Sequence, residues 1–479
     1  MSGYFPKLVF LGIDAMMPDV VLNNLDRFPN IRKLCETGAT GDYDAYTYGY
    51  GSRDNWLSIY TGLTPAQHGC RNNRLLATGS IPQSGDYTDK QPFWEVLNRN
   101  GLSAGIWRGI ITSPPVSIDG YMFCAEPKTM PGQDRPTHIG FSTVKEKQDL
   151  LAEIEGELPR PPLPRTLSDL GIDWEQFRDN VKKYEHLITN DFFREGVDYF
   201  RLETEYFTGN MIRVQKKHPV DVLFYYTSIL DLVQHFQIHE KSQEQIKRCV
   251  DALDAAVGRF IDELSPQYFI ILSDHGTEPF GSLFPNMPVS VQREAFGMRD
   301  KAVWLSDGNI AVRADNGSLM MGPHALKGFC CINGPGILPK KIESMRTVDF
   351  YPTLLEMLQM TIPGGREGFV VDIFNRELNN PHQKLVAQKP LEIAILQTNE
   401  VAREGDTINA VFLDYRFSRI TVFGQEKYRH AFLQNGRVHH FEAVENAALS
   451  MDALSKFDIV IVGNPNPFDS SHPYLTIAM

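Results

Sequence analysis

Seven residues of the types that bind metal ions or attack phosphorus lie in five separate segments of this chain. They are Asp14, Ser52, Asp231, His235, Asp274, His275 and His324. Carboxylates and imidazoles are ligands that Zn²⁺ and similar divalent ions prefer in proteins. Two such ions beside an activated hydroxyl form a centre that cleaves phosphate esters, whereas a single Asp or His would indicate little. The set therefore predicts a two-metal site for phosphoester chemistry.

Asp231 and His235 are four residues apart, a spacing that places both side chains on one face of a helix. Taken alone, such a pair is more often an ordinary surface pair than a metal chelate. His239 continues the same spacing and competes with His235 for the assignment. We prefer His235, because it lies nearer to the strand predicted at residues 220–226.

Ser52 ends a Gly-rich turn, YGYGS, and directly precedes a segment that is predicted to be helical, residues 55–61. A helix N-terminus presents N–H groups and the positive end of the helix dipole, which suits a phosphate oxygen. A metal ion in contact with the hydroxyl would lower its pKa, so we predict Ser52 as the nucleophile. The alternative is that Ser52 caps the helix, and both roles can hold at once.

Two of the candidate ligands directly follow segments with the pattern of buried strands. The apolar run at residues 7–12 precedes Asp14, and the run at 268–272 precedes Asp274. Such runs alternate with amphipathic helices, which predicts an α/β fold with a doubly wound, mostly parallel sheet. Ligands gather at the carboxyl ends of strands in these sheets. For either Asp alone, a helix cap is an equally good explanation.

Two departures from this alternation define the predicted domains. Prolines become frequent between about residues 115 and 218, which we interpret as a helical cap insertion within a catalytic domain of residues 1–380. A polar segment with Asn-Asn-Pro follows, and residues 385–479 are predicted to form a small α/β domain. Its strands are predicted at 391–398, 409–417, 418–424 and 457–465. This unit is expected to cover the site, to join chains into a homo-oligomer, or to bind a partner.

Composition limits the partners and the location of the protein. The net charge of −12 argues against binding to nucleic acid, although bound metal ions would still attract an anionic substrate. No apolar stretch approaches the roughly 20 residues that cross a bilayer. The N-terminal segment has no signal-peptide pattern, and the six cysteines show no C-x-x-C spacing. We therefore expect a cytoplasmic protein with reduced thiols and no membrane association.

The order of these motifs resembles the alkaline phosphatase superfamily, specifically its branch of type I phosphodiesterases and nucleotide pyrophosphatases. The stretch YTGLTPAQHG resembles the segment after the family's nucleophile, and VDFYPTLL resembles a late helix. The resemblance covers about residues 5–375 and implies an alkaline-phosphatase-like fold. It implies one metal ion bound by Asp231, His235 and His324. It implies a second bound by Asp14, Ser52, Asp274 and His275.

The resemblance also suggests a phosphate contact. An Asn downstream of the nucleophile contacts a phosphate oxygen in the phosphodiesterase branch, and this role falls on Asn73, with its neighbour Asn72 as the other register. The branch usually has Thr followed by a small or apolar pair, whereas this chain has Ser52, Arg53 and Asp54. Arg53 is expected either to pair with Asp54 or to add positive charge for a terminal phosphate.

The predicted function is hydrolysis of a small phosphate ester, of the phosphodiesterase or nucleotide pyrophosphatase type, through a phosphoserine intermediate. The predicted cofactors are two divalent ions, Zn²⁺ in preference to Mn²⁺. Phosphomonoester hydrolysis and a phosphomutase reaction are alternatives on the same residues. An inactive metal-binding scaffold is a further alternative, and the complete ligand set argues against it.

Overall fold

The computed structural model describes residues 5–46, 51–71, 73–123, 170–187, 192–236, 243–277, 302–304, 310–313, 319–320, 324–381, 384, 390–396, 408, 411, 415, 418–434, 437–444, 451–463 and 474–478. These residues form a large central sheet with helices on both faces, and a smaller sheet in the C-terminal part of the chain. The predicted α/β class with a mostly parallel, doubly wound sheet is confirmed.

Seven strands form the central sheet. Numbered in chain order, they are β1 (Leu8–Ile13), β2 (Ala39–Asp44), β3 (Ala104–Trp107), β4 (Gly120–Phe123), β5 (Val222–Thr227), β6 (Tyr268–Leu272) and β7 (Lys327–Asn333). Their order across the sheet is β2-β7-β6-β1-β5-β3-β4. Strand β7 is antiparallel to both of its neighbours, and the other pairs are parallel. The carboxyl ends of β1, β2, β5 and β6 therefore lie at one edge, where β7 begins.

Strand β1 lies near the centre of the sheet and is buried along its whole length. Its side chains alternate between two separate cores, so that Phe10 packs on one face of the sheet and Val9 and Leu11 pack on the other. Burial on both faces explains why this strand reads as a continuous apolar run and not as an alternating pattern.

Helices cover both faces. The first face is covered by Ser52–Thr61, Phe93–Arg99 and Phe350–Met357. The second face is covered by Pro18–Leu22, Pro29–Thr37, Phe192–Lys217 and Gln243–Leu264. Further helices are Pro65–His68, Trp174–Asp179, Val181–His186 and Ile229–Phe236. The predicted helices at residues 55–61 and in the Asp231 segment are therefore present.

The helix Phe192–Lys217 lies within the segment predicted as a cap insertion. Its buried residues Phe200 and Met211 pack in the same core as Leu11 of β1. The helix is therefore part of the layer that covers the sheet. Residues 124–169 of the predicted insertion lie outside the described residues, so the cap stays a prediction there.

The C-terminal sheet has five strands. They are β8 (Leu391–Leu396), β9 (Ser418–Gly424), β10 (Val438–Ala443), β11 (Ile459–Gly463) and β12 (Tyr474–Ala478). Their order is β10-β9-β8-β11-β12, and only the β11–β12 pair is antiparallel. The helices Arg429–Gln434 and Met451–Leu454 belong to the same unit. Three of the four predicted strands are present as β8, β9 and β11.

The strand predicted at residues 409–417 is wrong where the structure describes this segment. Val411 is helical, and its carbonyl oxygen accepts a hydrogen bond from the amide of Tyr415 at 2.8 Å. A short apolar run does not by itself distinguish a buried strand from a helix, which explains the error.

Among the residues that the structure describes, no helix combines the length and the apolarity needed to cross a bilayer. The described cysteines, Cys35, Cys70, Cys249, Cys330 and Cys331, are free thiols, and all except Cys35 are buried. The cellular location of the protein stays a prediction.

A buried ion pair joins a helix of the second face to the end of strand β3. Arg108, which follows β3, donates from Nη1 to the carboxylate of Glu203, and the two side chains are 7% and 2% exposed. Thr227 Oγ1 donates to the same carboxylate at 3.2 Å. The carbonyl oxygen of Thr227 in turn accepts a hydrogen bond from the amide of Asp14 at 2.9 Å. The pair therefore braces the strand ends that carry candidate ligands.

Replacement of Glu203 by Ala is expected to destabilise the fold strongly, because it leaves the Arg108 charge buried without a carboxylate. Removal of one partner of a buried ion pair costs about 3–5 kcal/mol. The control is Lys216→Ala on the same helix, whose pair with Glu263 is partly exposed and contributes about 1 kcal/mol or less. Urea denaturation of both variants measures the difference. Equal, small shifts of the unfolding midpoint would contradict the role assigned to the buried pair.

Candidate metal centre

Strand ends bring three of the candidate ligands to one edge of the central sheet. Asp14 follows β1, and Asp274 and His275 follow β6, the adjacent parallel strand. All three side chains are at most 1% exposed. Ser52 is the first residue of the helix Ser52–Thr61, which packs on the sheet at the same edge.

A helix and a short strand supply the other three ligands. Asp231 and His235 lie on the helix Ile229–Phe236, which begins shortly after β5, so their predicted arrangement on one helix is confirmed. The two-residue strand His324–Ala325 pairs antiparallel with Gly276–Thr277. This pairing places His324 opposite Thr277 and close to His275.

The first cluster consists of Asp231, His235 and His324. His235 Nε2 lies 3.2 Å from Asp231 Oδ1 and 3.2 Å from His324 Nε2. His324 Nε2 lies 3.7 Å from Asp231 Oδ1. Ligand atoms about 2.0–2.2 Å from a tetrahedral zinc ion lie roughly 3.3–3.6 Å from one another. The three distances are each within about 0.1 Å of this interval, so the three atoms could bind one divalent ion.

The second cluster consists of Asp14, Ser52, Asp274 and His275. His275 Nε2 lies 3.3 Å from Asp14 Oδ1, 3.2 Å from Asp274 Oδ2 and 3.2 Å from Ser52 Oγ. Ser52 Oγ lies 3.3 Å from Asp14 Oδ1. These distances again match the spacing of ligands around one divalent ion. The hydroxyl of Ser52 is thus part of a ligand-sized cluster.

His275 lies at the junction of the two clusters. Its ring stacks on that of His324, with 3.7 Å between the ring centroids. Ligand atoms of Asp231, His275 and His324 all lie within 4.8 Å of one another, and so do those of Asp14, Asp274 and His275. By distance alone, His275 could therefore be a ligand in either cluster. Its contacts of 3.2–3.3 Å are all with residues of the second cluster.

The electrostatics of the site favour bound cations. Burial, followed by the charge of Asp231, raises the pKa of Asp14, and burial together with Asp14 raises the pKa of Asp274 well above its ordinary value. Burial holds the pKa of His324 well below its ordinary value, so its ring is neutral and can bind a metal ion. A divalent ion would reverse the penalty on both carboxylates.

Two carboxylate oxygens in the site also lack hydrogen bonds of normal geometry from the described residues. They are Asp231 Oδ1 and Asp274 Oδ2, and both are buried. Buried polar atoms of this kind are uncommon without a partner. Their position in the two clusters fits the donor set of a two-cation site.

The turn before Ser52 is held by Asp54, for which the sequence suggested only a pairing with Arg53. Asp54 is fully buried, and its Oδ2 accepts a hydrogen bond from the amide of Gly51 at 2.6 Å. Its Oδ1 accepts a hydrogen bond from the thiol of Cys70 at 2.9 Å. An acidic residue at the third position of a helix is a capping signal in the sequence. That signal would have identified Asp54.

Asn73 lies against the same turn. Its Oδ1 accepts a hydrogen bond from the amide of Arg53 at 2.9 Å. A Cβ at position 51 would lie 2.0 Å from Asn73 Nδ2, so any residue other than glycine at this position would displace the Asn73 side chain. Asn72, the other register, lies outside the described residues. The contact of Asn73 with phosphate stays a prediction.

Another buried histidine near this helix has a different role. His68 Nε2 lies 3.1 Å from Ser58 Oγ, and His68 Nδ1 accepts a hydrogen bond from the amide of Cys70 at 3.1 Å. Burial lowers the pKa of His68 to about 3. His68 therefore stabilises local structure. His239, the competitor of His235, lies outside the described residues.

Clusters of carboxylates and imidazoles beside a hydroxyl, at the carboxyl edge of a doubly wound sheet, are typical of enzymes that hydrolyse phosphate esters with metal ions. The chain belongs to the family of type I phosphodiesterases and nucleotide pyrophosphatases, whose sequence profile matches residues 8–315. The resemblance stated above is thus confirmed, and the protein is a phosphoric ester hydrolase by family. His324 lies beyond the matched range, and the structure brings it to the cluster.

Solved structures of two family members are similar to this chain. Murine ectonucleotide pyrophosphatase/phosphodiesterase 5 has 14% identity and a TM-score of 0.43, over 74% of this chain and 96% of its own. The human protein of the same name has 16% identity and a TM-score of 0.43, over 77% of this chain and 100% of its own. No curated protein matches the sequence at a significant level.

Replacement of His235 by Ala is expected to reduce the bound zinc from about two ions to about one per chain, because it removes one of three ligands of the first cluster. Inductively coupled plasma mass spectrometry after dialysis against limiting zinc measures the content. The control is His68→Gln, a buried histidine outside the clusters, which should keep both ions. A His235→Ala protein that retains two ions would contradict the ligand assignment.

Proposed function

We propose that the protein is a two-metal phosphohydrolase of the phosphodiesterase or nucleotide pyrophosphatase type, with a phosphoserine intermediate at Ser52. One observation carries this proposal. The hydroxyl oxygen of Ser52 lies 3.3 Å from Asp14 Oδ1 and 3.2 Å from His275 Nε2, within the second cluster. A serine that only capped its helix would not need to face a buried carboxylate and an imidazole.

Zn²⁺ is the preferred ion and Mn²⁺ the alternative, because the proposed ligands are a mixture of nitrogen and oxygen donors. When bound, the two cations supply positive charge that favours the ionised hydroxyl and neutralises charge on the phosphoryl oxygens. The proposed ligands of the first ion are Asp231, His235 and His324. Those of the second are Asp14, Ser52, Asp274 and His275.

Ser52 performs the first chemical step in this proposal. Its Oγ loses its proton to solvent and forms a bond to phosphorus as the bond between phosphorus and the leaving oxygen breaks. The leaving group departs with that oxygen, and the phosphoryl group, with the second substituent of a diester still attached, stays on Ser52. Water then attacks phosphorus from the opposite side and restores the serine hydroxyl. The N-terminus of the helix Ser52–Thr61 places the positive end of the helix dipole at this position, which favours the negative phosphoryl oxygens.

Asn73 is proposed to hold a phosphoryl oxygen through its amide group. Its Oδ1 is already used by the amide of Arg53, so the Nδ2 group is the donor that remains for substrate. A hydrogen-bond donor that is fixed before the reaction stabilises charge that develops on oxygen in the transition state.

Ser52→Ala is expected to abolish turnover, with a loss of at least about 10³-fold, because no nucleophile remains. Its metal content should stay near that of the wild type, since the other ligands of the second cluster remain. The control is Ser58→Ala in the same helix, which should keep activity. Phosphoserine at position 52, trapped by acid quenching and detected by mass spectrometry, is a second measurement. Full activity of Ser52→Ala would reject the nucleophile assignment.

Asn73→Ala is expected to lower kcat/KM by about 10²-fold or more, as for the loss of a transition-state donor. Asn73→Asp is the matched variant, because it keeps an oxygen for the amide of Arg53 but removes the N–H donor. Steady-state kinetics should show that both variants are impaired. An active Asn73→Asp enzyme would assign Asn73 a purely structural role.

A second candidate function is phosphomonoester hydrolysis, which Ser52 favours because the phosphodiesterase branch usually has Thr at this position. A phosphomutase would use the same phosphoserine and return the phosphoryl group to another position of the substrate. A panel of nitrophenyl phosphate monoester, the diester, a nucleotide and a phosphonate ester distinguishes the hydrolases. Product analysis identifies a mutase by an isomer in place of free phosphate.

The proposed substrate is a small phosphate ester, not nucleic acid, because the chain carries a net charge of −12. We also propose a cytoplasmic location. An inactive scaffold is the remaining alternative, and it would hydrolyse no member of the panel.

A further inference from the structure

The C-terminal unit contacts the edge of the central sheet through a buried arginine. Arg437 directly precedes β10 and is 6% exposed. Its Nη2 donates to Asp44 Oδ1 at 2.7 Å, and the two side chains are 7% and 12% exposed. Asp44 is the last residue of β2. Arg437 therefore reaches the same edge at which the candidate metal ligands lie.

Asp44 also connects this contact to the segment that carries His324. Lys327, the first residue of β7, lies 2.9 Å from Asp44 Oδ1 through its Nζ. The amide of Ala45 donates to the carbonyl oxygen of Leu326 at 2.9 Å. The end of β2 is thus fixed to the chain directly after the strand His324–Ala325.

Asp44 is also connected to the helix Ser52–Thr61, which carries the proposed nucleophile. Thr347 Oγ1 lies 3.3 Å from the carbonyl oxygen of Asp44 and 3.3 Å from Asn55 Oδ1. Asn55 Nδ2 donates to the carbonyl oxygen of Tyr46 at 2.6 Å, and Asn55 Oδ1 accepts from the Tyr46 amide at 3.0 Å. Asn55 lies three residues after Ser52 on the same helix. The end of β2 therefore braces the helix that presents Ser52.

We propose that Arg437 is a positioning residue of the active site, so that the C-terminal unit completes the site through its contact with Asp44. This inference rests on the proposed phosphohydrolase function. The other cation at Asp44, Lys327, has a side chain that is 50% exposed, whereas the planar guanidinium of Arg437 is buried. Arg437 is thus the cation that holds Asp44 in one position.

Removal of Arg437 is expected to lower the catalytic rate more than the affinity for substrate. Without Arg437, the carboxylate of Asp44 keeps one ion pair among the described residues, that with the half-exposed Lys327, and the end of β2 is less constrained. Ser52 and His324 are connected to this strand end from opposite sides, so their relative position becomes less defined. Displacement of reacting groups by about 1 Å costs up to 10²-fold in rate.

The experiment compares full-length Arg437→Ala, Arg437→Lys and a control. The control is Arg419→Ala, because Arg419 lies in the same unit and its pair with Glu392 is exposed. Zinc-reconstituted proteins are assayed with the nitrophenyl ester that the wild type hydrolyses best. Arg437→Ala should lower kcat by about tenfold with a smaller change in KM. Arg437→Lys should recover part of this loss, and Arg419→Ala should match the wild type.

A double-mutant cycle tests the route through Asp44. If Arg437 acts through this carboxylate, Arg437→Ala should cause no further loss of kcat in an Asp44→Asn background. Independent, additive losses would overturn this route. A wild-type kcat for Arg437→Ala would overturn the proposal as a whole.

Separate control experiments test whether each variant is folded and whether the proposed function itself holds. Circular dichroism, thermal unfolding and zinc content show whether each variant is folded and loaded, and Arg437→Gln replaces Arg437→Ala if the latter does not fold. Failure of the proposed function has a different signature, because Ser52→Ala would then stay active or the wild type would hydrolyse none of the esters. An effect of Arg437→Ala on thermal stability alone, with kcat unchanged, would show a merely structural contact.

Discussion

Two fully buried carboxylates, Asp14 and Asp274, lie at the ends of adjacent parallel strands, and the rest of the site depends on this arrangement. Burial raises the pKa of both groups; the charge of Asp231 adds to this rise at Asp14, and the charge of Asp14 adds to it at Asp274. The fold therefore keeps two potential anions together in a place where only cations make their charges favourable. Strands β1 and β6 enforce this proximity, because their register is fixed by continuous hydrogen bonding and by apolar side chains on both faces.

Around these carboxylates, ion pairs between residues distant in the sequence and one local cap hold the surrounding elements. Glu203 and Arg108 brace the end of β5, and Asp54 caps the turn before the nucleophile. Asp44 joins the end of β2 to Lys327 and to Arg437 of the C-terminal unit. None of these side chains belongs to the two clusters. Together they restrict the backbone positions from which the clusters are presented, which is how a scaffold fixes a constellation of side chains.

Local patterns were sufficient to predict the sheet class and the pairing of Asp231 with His235, whereas the grouping of all seven candidate residues into two ligand sets came from the resemblance to the phosphodiesterase branch. The apolar run before Asp14 and the four-residue spacing of Asp231 and His235 are visible without knowledge of any distant contact. The contact of Arg437 with Asp44 spans 393 positions, and that of Arg108 with Glu203 spans 95. No periodic pattern in the sequence indicates contacts between residues so far apart. The strand expected at residues 409–417 failed for a related reason, since a short apolar run fits more than one buried element.

The antiparallel pairing of His324–Ala325 with Gly276–Thr277 fixes the two ends of the segment that separates them in the chain. The chain leaves the candidate metal centre after Thr277 and returns to it at His324. The segment between these two residues therefore begins and ends at this centre. Loop-closure entropy grows only slowly with length, and the short ladder fixes both ends. The length of this segment can therefore change without a change in the register that places His324 opposite Thr277.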